Sequence, residues 1–258
     1  MPLVTVDNRS VSLDVRGSGS STVLFIHGVG PGGAAWDLVT QGLAETCRAF
    51  VLDLPGFGKS ERGSSTGSID DAATLVHRVL HAQGNTEAVP IVGHAFGGLV
   101  ALNFAARFPS HVSHLALVST AGFDGDPRAS LERLNGIENG GWDADGADAW
   151  LRAGLVEELA EGHFAAMRDA TAGVDADLIA ECVASSARRV LLEDASEITA
   201  PTLLVRGSDD PLVSDGDVQI LAARLAAAEV FTLPDVGHWP SLEAPDELRV
   251  ELVRFLGI

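Results

Sequence analysis

Short runs of consecutive apolar residues recur along this chain of 258 residues. Runs of this length, bounded by turn residues, are typical of β-strands that are buried on both faces. They cover residues 23–26, 49–52, 89–92, 115–118, 202–205 and 229–233. Stretches with helical spacing lie between several of them or after the last, at residues 69–83, 99–108, 218–228 and 245–256. Strands that alternate with helices predict an α/β fold with a mostly parallel, doubly wound sheet.

Two regions depart from this alternation. Near the start, residues 4–6 and 11–15 alternate apolar and polar side chains around the turn Asp7-Asn8-Arg9, which predicts a β-hairpin. From about Gly125 to Glu197 the chain has helical patterning, much Gly and Asp, and no convincing strand. We therefore expect a core domain formed by residues 1–124 and 198–258, with residues 125–197 inserted as a helical cap or lid.

The composition indicates a globular domain with an acidic surface. Hydrophobic residues make up 46% of the chain and charged residues 21%, which is enough apolar material for a sizeable core. The formal net charge of −19 disfavours nucleic acid and anionic membrane surfaces as partners, because both repel a negative protein. We expect a small-molecule substrate, and a chain that is a monomer or a homodimer.

The N-terminus and the cysteines bear on the cellular compartment. The first residues alternate apolar and polar side chains, without the basic region and continuous apolar stretch of a signal peptide. No run reaches the ~18 apolar residues that a transmembrane helix needs. The two cysteines, Cys47 and Cys182, exclude a disulfide scaffold. A soluble, cytoplasmic protein is the expectation.

The hexapeptide Gly93-His94-Ala95-Phe96-Gly97-Gly98 lies between an apolar run and a stretch of helical spacing. The pattern Gly-x-Ser-x-Gly at such a junction forms a nucleophile elbow, a sharp turn that holds a serine above the sheet. The glycines supply the small residues that the turn needs where the two backbones meet. Ala95 stands in the serine position and has no nucleophilic atom. Taken alone, the hexapeptide is also compatible with a junction that simply favours glycine.

A glycine-rich loop, His27-Gly28-Val29-Gly30-Pro31-Gly32-Gly33, follows the first buried run. A loop of this kind is able to turn backbone N–H groups toward a site at the strand ends. One N–H from it and one from the residue after the nucleophile would form an oxyanion hole, and we assign these donors to Val29 and Phe96. By itself, the loop is equally compatible with an ordinary turn.

An acidic turn and a lone histidine follow the last two buried runs. Asp210, with Asp209 as the second choice, comes after residues 202–205, and His238 comes after residues 229–233. Residue 95, Asp210 and His238 follow the order nucleophile, acid, histidine. Ligands and chemistry in open α/β sheets gather at the carboxyl ends of the strands. The order therefore predicts that these residues share one catalytic site.

Two further patterns are weaker. Gly58-Lys59-Ser60 is like the end of a phosphate-binding loop, but that motif requires glycine where Asp53 stands. His77 and His81 have the spacing of helical zinc ligands, but they lack the accompanying glutamate and a third ligand nearby in sequence. We predict neither a metal nor a cofactor.

With these motifs in place, the chain resembles the α/β-hydrolase superfamily from its first hairpin to its last helix. The segments that carry the resemblance are His27–Gly32, Asp53–Ser60, Gly93–Gly98, Gly207–Asp210 and Gly237–Trp239. The resemblance implies a mostly parallel eight-stranded sheet flanked by helices, with a helical lid. The loop at residue 27 and the Gly-His-Trp segment are most similar to those of meta-cleavage-product hydrolases, which split carbon–carbon bonds in vinylogous 1,5-diketones. Esterases, lactonases and enol-lactone hydrolases have similar loops.

The resemblance implies hydrolysis through an acyl-enzyme. A serine at position 95, deprotonated by His238, would attack a carbonyl while Asp210 holds the imidazole. With alanine there, three interpretations stay open. They are a Ser→Ala change introduced into a hydrolase of small apolar esters, lactones or diketones; a natural ligand-binding protein without turnover; and a cofactor-free enzyme that uses the His–Asp pair as a base. We favour the first, because every other part of the motif set is intact.

Several residues near these motifs are candidates for contact with a substrate. Gly28 and His94 lie inside the motifs, and Trp239 follows the histidine. Large apolar side chains in the insertion are candidate pocket walls, although ordinary packing of a lid explains them equally well. They are Trp142, Trp150, Phe164 and Met167.

Overall fold

The computed structural model describes residues 3–6, 8–63, 67–120, 142–156, 159–188 and 195–258. Its strands are β1 (Leu3–Val6), β2 (Arg9–Arg16), β3 (Ser21–Ile26), β4 (Cys47–Leu52), β5 (Val89–His94), β6 (Val112–Val118), β7 (Thr202–Gly207) and β8 (Ala228–Leu233). Within the described residues these form one eight-stranded sheet in the order β1-β2-β4-β3-β5-β6-β7-β8. Each apolar run of the sequence therefore becomes a strand.

The sheet is antiparallel at one edge and parallel elsewhere. β1 pairs with β2, and β2 with β4, in antiparallel register. From β4 through β3, β5, β6 and β7 to β8, each neighbouring pair is parallel. This topology confirms the predicted hairpin and the mostly parallel sheet. It also brings the carboxyl ends of β3, β5, β7 and β8 to one edge of the sheet.

The helices are α1 (Asp37–Gln41), α2 (Ile69–Ala82), α3 (Phe96–Arg107), α4 (Ala144–Arg152), α5 (Glu161–Ala172), α6 (Ala176–Arg188), α7 (Asp215–Ala222), α8 (Pro240–Glu243) and α9 (Pro245–Leu256). Short 3₁₀ turns cover Gly32–Trp36 and Pro109–His111. The helix predicted at residues 218–228 is shorter and begins earlier. A capping box between Ser214 and Asp217 starts α7, and Ala228 already pairs with Thr202 in the sheet.

Side chains alternate between two cores along the central strands. On β3, Leu24 and Ile26 join the core that includes α2 and α3, whereas Val23 and Phe25 join the core that includes α9. All four side chains are fully buried. A strand that is covered on both faces has no position for a polar side chain, which explains its continuous apolar run.

The segment between β6 and β7 contributes helices α4, α5 and α6. Leu178 and Ile179 of α6 join the α2–α3 core, while residues of α4 and α5 form a separate apolar cluster with Trp239 and Leu242. We call α4, α5 and α6 the cap helices. Residues 121–141, 157–158 and 189–194 lie outside the described residues, so the predicted boundaries at 125 and 197 stay predictions. No helix of the described residues is both long and apolar enough to cross a bilayer.

Candidate active site

Ala95 occupies a one-residue turn between β5 and α3. Its backbone has φ 47° and ψ −113°, a region that residues with a Cβ seldom adopt. The turn is fixed by a hydrogen bond from Ala95 N to the Val118 carbonyl at 2.9 Å and by two amides of α3 that donate to the Ala95 carbonyl. A strained backbone of this kind costs on the order of 1–3 kcal/mol and clusters at functional sites. Position 95 thus has the backbone of a nucleophile elbow.

The elbow and the glycine-rich loop lie against each other. A Cβ added to Gly97 would lie 2.3 Å from the His27 carbonyl oxygen, so only glycine fits there. A Cβ added to Gly28 would lie 2.8 Å from Nδ1 of His94 and 3.1 Å from the Cβ of Ala95. The loop after β3 therefore borders the position of the nucleophile.

His27 fixes the orientation of the glycine-rich loop. It is fully buried, its Nδ1 donates to the Gly28 carbonyl at 2.6 Å, and its Nε2 accepts from Leu54 N at 2.9 Å. Burial lowers the pKa of His27 despite the nearby charge of Asp53, so the ring stays neutral with its proton on Nδ1. In a trans peptide the N–H points opposite to the C=O. Since the Gly28 carbonyl faces His27, the N–H of Val29 faces away from it.

Asp53 connects the far end of the same loop to the turn at residues 58–60. Its two carboxylate oxygens accept from Gly33 N at 2.7 Å and from Lys59 N at 3.0 Å. A Cβ added to Gly58 would lie 2.4 Å from that carboxylate group. Residues 58–60, which are like the end of a phosphate-binding loop, thus form a turn packed around the buried Asp53.

The two predicted oxyanion donors lie at the start of a helix and in the fixed loop. Phe96 is the first residue of α3, and the N-terminus of a helix favours developing negative charge. The side chains of Val29 and Phe96 are both buried. The carbonyl of Val29 accepts a hydrogen bond from Nε1 of Trp150 in α4 at 3.3 Å. A cap helix therefore contacts the loop that carries the predicted donor.

Asp210 and His238 form a buried pair. Nδ1 of His238 lies 3.1 Å from Oδ1 and 3.0 Å from Oδ2 of Asp210, whose side chain is completely buried. Oδ1 also accepts from the amides of Leu212 and Val213 at 2.8 and 3.1 Å. Burial raises the pKa of Asp210, but the charge and hydrogen bond of His238 and the two amides outweigh it and lower the pKa. The carboxylate stays ionised and holds the proton on Nδ1, which leaves Nε2 free to act as a base.

The second-choice acid does not contact His238. Asp209 is exposed, and its carboxylate accepts a hydrogen bond from the Ser208 hydroxyl at 3.2 Å. Of the two aspartates, the structure brings Asp210 to the histidine.

His94 is the last residue of β5, and its side chain contacts the His238 backbone. It is fully buried, and its Nε2 donates to the His238 carbonyl at 2.8 Å. Its ring lies 4.7 Å from Trp239 and 5.1 Å from His238. Burial, followed by the charge of His238, lowers the pKa of His94 to about 3, so the ring is neutral. These contacts place His94 as a support for the His238 backbone, while contact with a substrate stays a prediction.

The large apolar residues predicted as pocket walls fall into two groups. Trp239, Phe164 and Met167 are buried in one apolar cluster with Leu151 of α4, and Trp150 packs on its edge. Trp142 meets Trp150 edge to face at 5.9 Å and donates to the Thr171 carbonyl at 3.2 Å. The structure thus brings the cap aromatics to the glycine-rich loop and to the histidine segment.

Glu243 and Thr171 also belong to this region, although no sequence pattern predicts them. The Glu243 carboxylate accepts hydrogen bonds from the backbone on both sides of His238. Thr171 is fully buried, and its hydroxyl has no hydrogen-bond partner among the described residues. Gly30 of the glycine-rich loop faces that hydroxyl: a Cβ added to Gly30 would lie 3.6 Å from it and 3.4 Å from the Trp239 ring. The sequence offers only the spacing of Glu243, five residues after His238, and that spacing alone does not predict a contact.

His77, the first of the two histidines at spacing four, is part of an aromatic cluster, whereas His81 is exposed. The His77 ring stacks on Phe108 at 4.3 Å and meets His111 edge-on at 4.9 Å. Among the described residues, no three His, Cys, Asp or Glu side chains are grouped so that they could bind a metal ion.

An elbow after β5, an acid after β7 and a histidine after β8, at one edge of a mostly parallel sheet, define an α/β-hydrolase fold. The chain belongs to the alpha/beta hydrolase family, whose model matches residues 23–251. The resemblance stated from the sequence is thereby confirmed.

The chain is similar to proteins named as hydrolases of several kinds. The chain is 28% identical to Lipase 1 of Psychrobacter immobilis, over 87% of this chain and 73% of the lipase. It is 28% identical to the 2-hydroxy-6-oxononadienedioate/2-hydroxy-6-oxononatrienedioate hydrolase of Cupriavidus pinatubonensis, over 93% of this chain and 88% of that enzyme. Its fold is similar to the crystal structure of the enol-lactonase from Burkholderia xenovorans LB400, with a TM-score of 0.87, 21% identity and 100% coverage of both chains. The proteins that the chain is similar to therefore include a lipase and a hydrolase of 2-hydroxy-6-oxononadienedioate.

Proposed function

We propose that this protein is a serine-hydrolase-type enzyme for a small, largely apolar ester, lactone or vinylogous diketone, with alanine in the nucleophile position. The observation that carries the proposal is the backbone of Ala95. It has the strained turn of a nucleophile elbow, although a methyl group gains nothing from that turn. The buried Asp210–His238 pair supports the same conclusion.

The mechanism assigns one task to each group. A serine hydroxyl at position 95 would lose its proton to Nε2 of His238 as it attacks the substrate carbonyl. Asp210 holds Nδ1–H and stabilises the imidazolium that forms. The N–H groups of Val29 and Phe96 would stabilise the oxyanion of the tetrahedral intermediate. His238 would then return its proton to the leaving group, and water would release the acyl group.

The similarity to a lipase and to a 2-hydroxy-6-oxononadienedioate/2-hydroxy-6-oxononatrienedioate hydrolase supports this class of reaction. In the proposed mechanism, an ester, a lactone and a vinylogous diketone would each be attacked at a carbonyl carbon. The described contacts of the site, namely a neutral His94, buried aromatics and backbone amides, favour an uncharged reacting group. We therefore favour substrates whose reacting carbonyl is uncharged, which includes esters, lactones and diketones.

The chain as written would bind a substrate without turning it over. In a well-studied serine protease, removal of the nucleophile costs roughly 10⁶-fold in rate, while the binding groups remain. We infer that Ala95 is a Ser→Ala replacement in an otherwise intact hydrolase site.

The test is Ala95→Ser, assayed on short aryl esters, lactones and a dienoate diketone. We expect hydrolysis to rise by several powers of ten, up to roughly 10⁶-fold. Ala95→Gly is the matched control, because it changes the same residue without adding a nucleophile. A folded Ala95→Ser protein that turns over no member of the panel would contradict the proposal.

Ala95 itself favours a second candidate, a ligand-binding protein that needs no turnover. This candidate predicts tight ligand binding by the chain as written and no gain of hydrolysis with Ala95→Ser. The intact His238–Asp210 pair is also compatible with a cofactor-free base enzyme. Oxygen consumption by the unaltered chain with a heteroaromatic substrate would identify that activity.

A further inference from the structure

One carboxylate joins the segment around His238 to the end of a cap helix. Oε2 of Glu243 accepts hydrogen bonds from Gly237 N at 3.2 Å and from Val156 N at 2.9 Å. Oε1 accepts from Trp239 N at 3.1 Å. Two of these donors flank His238, and the third lies just beyond α4. Glu243 is half-buried, in the four-residue helix that follows Trp239.

The segment after α4 makes a direct bond to His238 as well. The amide of His238 donates to the Gly154 carbonyl at 2.6 Å. A Cβ added to Gly237 would lie 2.4 Å from that same carbonyl oxygen, so the two segments are in close contact. We call residues 154–156 together with residues 237–239 the cap–histidine joint.

The joint leaves the His238 backbone little freedom. Its N–H is bound by Gly154, its carbonyl by His94, and the amides on either side by Glu243. Asp210 holds only the ring nitrogen. Because the ring turns about bonds that start at this backbone, a shift of the backbone moves Nε2 even when the Asp210 contact persists.

We propose that Glu243 is a positioning residue that fixes His238 through the cap–histidine joint, so that the placement of the imidazole depends on the seating of α4. Its role in catalysis rests on the proposed hydrolase function, whereas the mechanical link does not. Hydrogen bonds from backbone amides to a charged carboxylate are among the stronger ones in proteins. Three of them on one side chain join Glu243 to both halves of the joint.

Amide hydrogen exchange in the chain as written tests the link without any need for catalysis. The reporter is the amide of His238, because its acceptor, Gly154, is untouched by a change at residue 243. In Glu243→Ala we expect its exchange, and that of residue 156, to rise by about tenfold or more, the factor expected from one lost bond to a charged group. In Glu243→Gln, which keeps one acceptor oxygen, the exchange rates should lie between those of the unaltered chain and those of Glu243→Ala.

Two controls separate positioning from general stability. Glu247→Gln removes the same charge from an exposed position on α9 and should leave the joint unchanged. Amides of α2, remote from the joint, should keep their exchange rates in Glu243→Ala. An unchanged His238 amide, or an equal rise in α2, would overturn the proposal.

A second measurement uses Ala95→Ser protein, if that protein hydrolyses its panel. Adding Glu243→Ala should then lower kcat by about tenfold with little change in KM, because Nε2 is misplaced while the binding groups remain. An unchanged kcat would overturn the catalytic role of Glu243. Inactivity of Ala95→Ser alone would count against the proposed function, and the exchange result would still decide the link.

Discussion

The half of the site on the sheet and the half on the cap helices are held in different ways. Ala95, Asp210 and His238 follow strand ends, and their positions are set by strained turns, close backbone contacts and a buried carboxylate. Trp150 and Thr171 lie on α4 and α5, which reach the sheet half through the Trp150–Val29 hydrogen bond, the bonds of residues 154 and 156, and an apolar cluster. The proposed function assigns the reacting groups to the sheet half and the candidate pocket walls to the cap half.

The largest expected effect falls on the sheet half. In Ala95→Ser protein, Asp210→Asn should lower kcat by about 10⁴-fold, because an amide no longer holds the proton on Nδ1 of His238. Asp209→Asn is the matched control and should change kcat little, since Asp209 is exposed. Steady-state kinetics on the best ester of the panel measure both. Equal effects of the two substitutions would break the assignment of the acid.

The next effect concerns acid stability. His94 has its pKa lowered to about 3, so between about pH 6.5 and 3 the folded protein binds fewer protons at this site than the unfolded chain. Its contribution to stability is therefore lost as the pH falls through that range, by up to about 3 kcal/mol at pH 4.

His94→Gln removes this titration. Urea unfolding at pH 7 and pH 4 should show a smaller loss of unfolding free energy in His94→Gln than in the unaltered chain. His163→Gln, on the exposed face of α5, should behave like the unaltered chain. The same loss in all three proteins would show that His94 does not titrate in this way.

A smaller effect on catalysis is expected where α4 contacts the glycine-rich loop. In Ala95→Ser protein, Trp150→Phe keeps the ring but loses the donor to the Val29 carbonyl, and kcat/KM should fall by about tenfold or less. Trp142→Phe is the control, because its lost donor faces Thr171 and not the loop. If both variants match their parent, the cap does not help to set the oxyanion site.

The smallest effect is one of stability. Thr171→Val replaces a buried hydroxyl that has no partner within the described part of the chain, so the free energy of unfolding should rise by about 1 kcal/mol. Thr40→Val should lower it, because the Thr40 hydroxyl donates to Trp36 and accepts from Arg16. Thermal unfolding of both variants is the measurement. A less stable Thr171→Val would show that the hydroxyl is satisfied in solution.

The sequence predicted the sheet half far better than the cap half, for a physical reason. Strands that are buried on both faces need continuous apolar runs, and the elbow needs glycine wherever backbones touch, so both leave a pattern of residue types. The hydrogen bond from Val156 to Glu243 and the approach of Gly30 to Thr171 join segments distant in the chain, and almost any sequence spacing is compatible with such contacts. The end of α7 was misplaced because the alanines at 226–228 fit a helix and a strand edge equally well.

The turn at residue 95 holds its shape without a hydroxyl, since the hydrogen bonds that fix it come from the backbone. The side chain at position 95 is therefore replaceable. The backbone of the turn sets its orientation, and the side chain supplies only the reacting atom. Under the proposed mechanism, a cysteine or selenocysteine placed there would use the same imidazole and the same amides as a serine. One codon would then change the leaving groups and the pH range of the chemistry, while the rest of the molecule stays as it is.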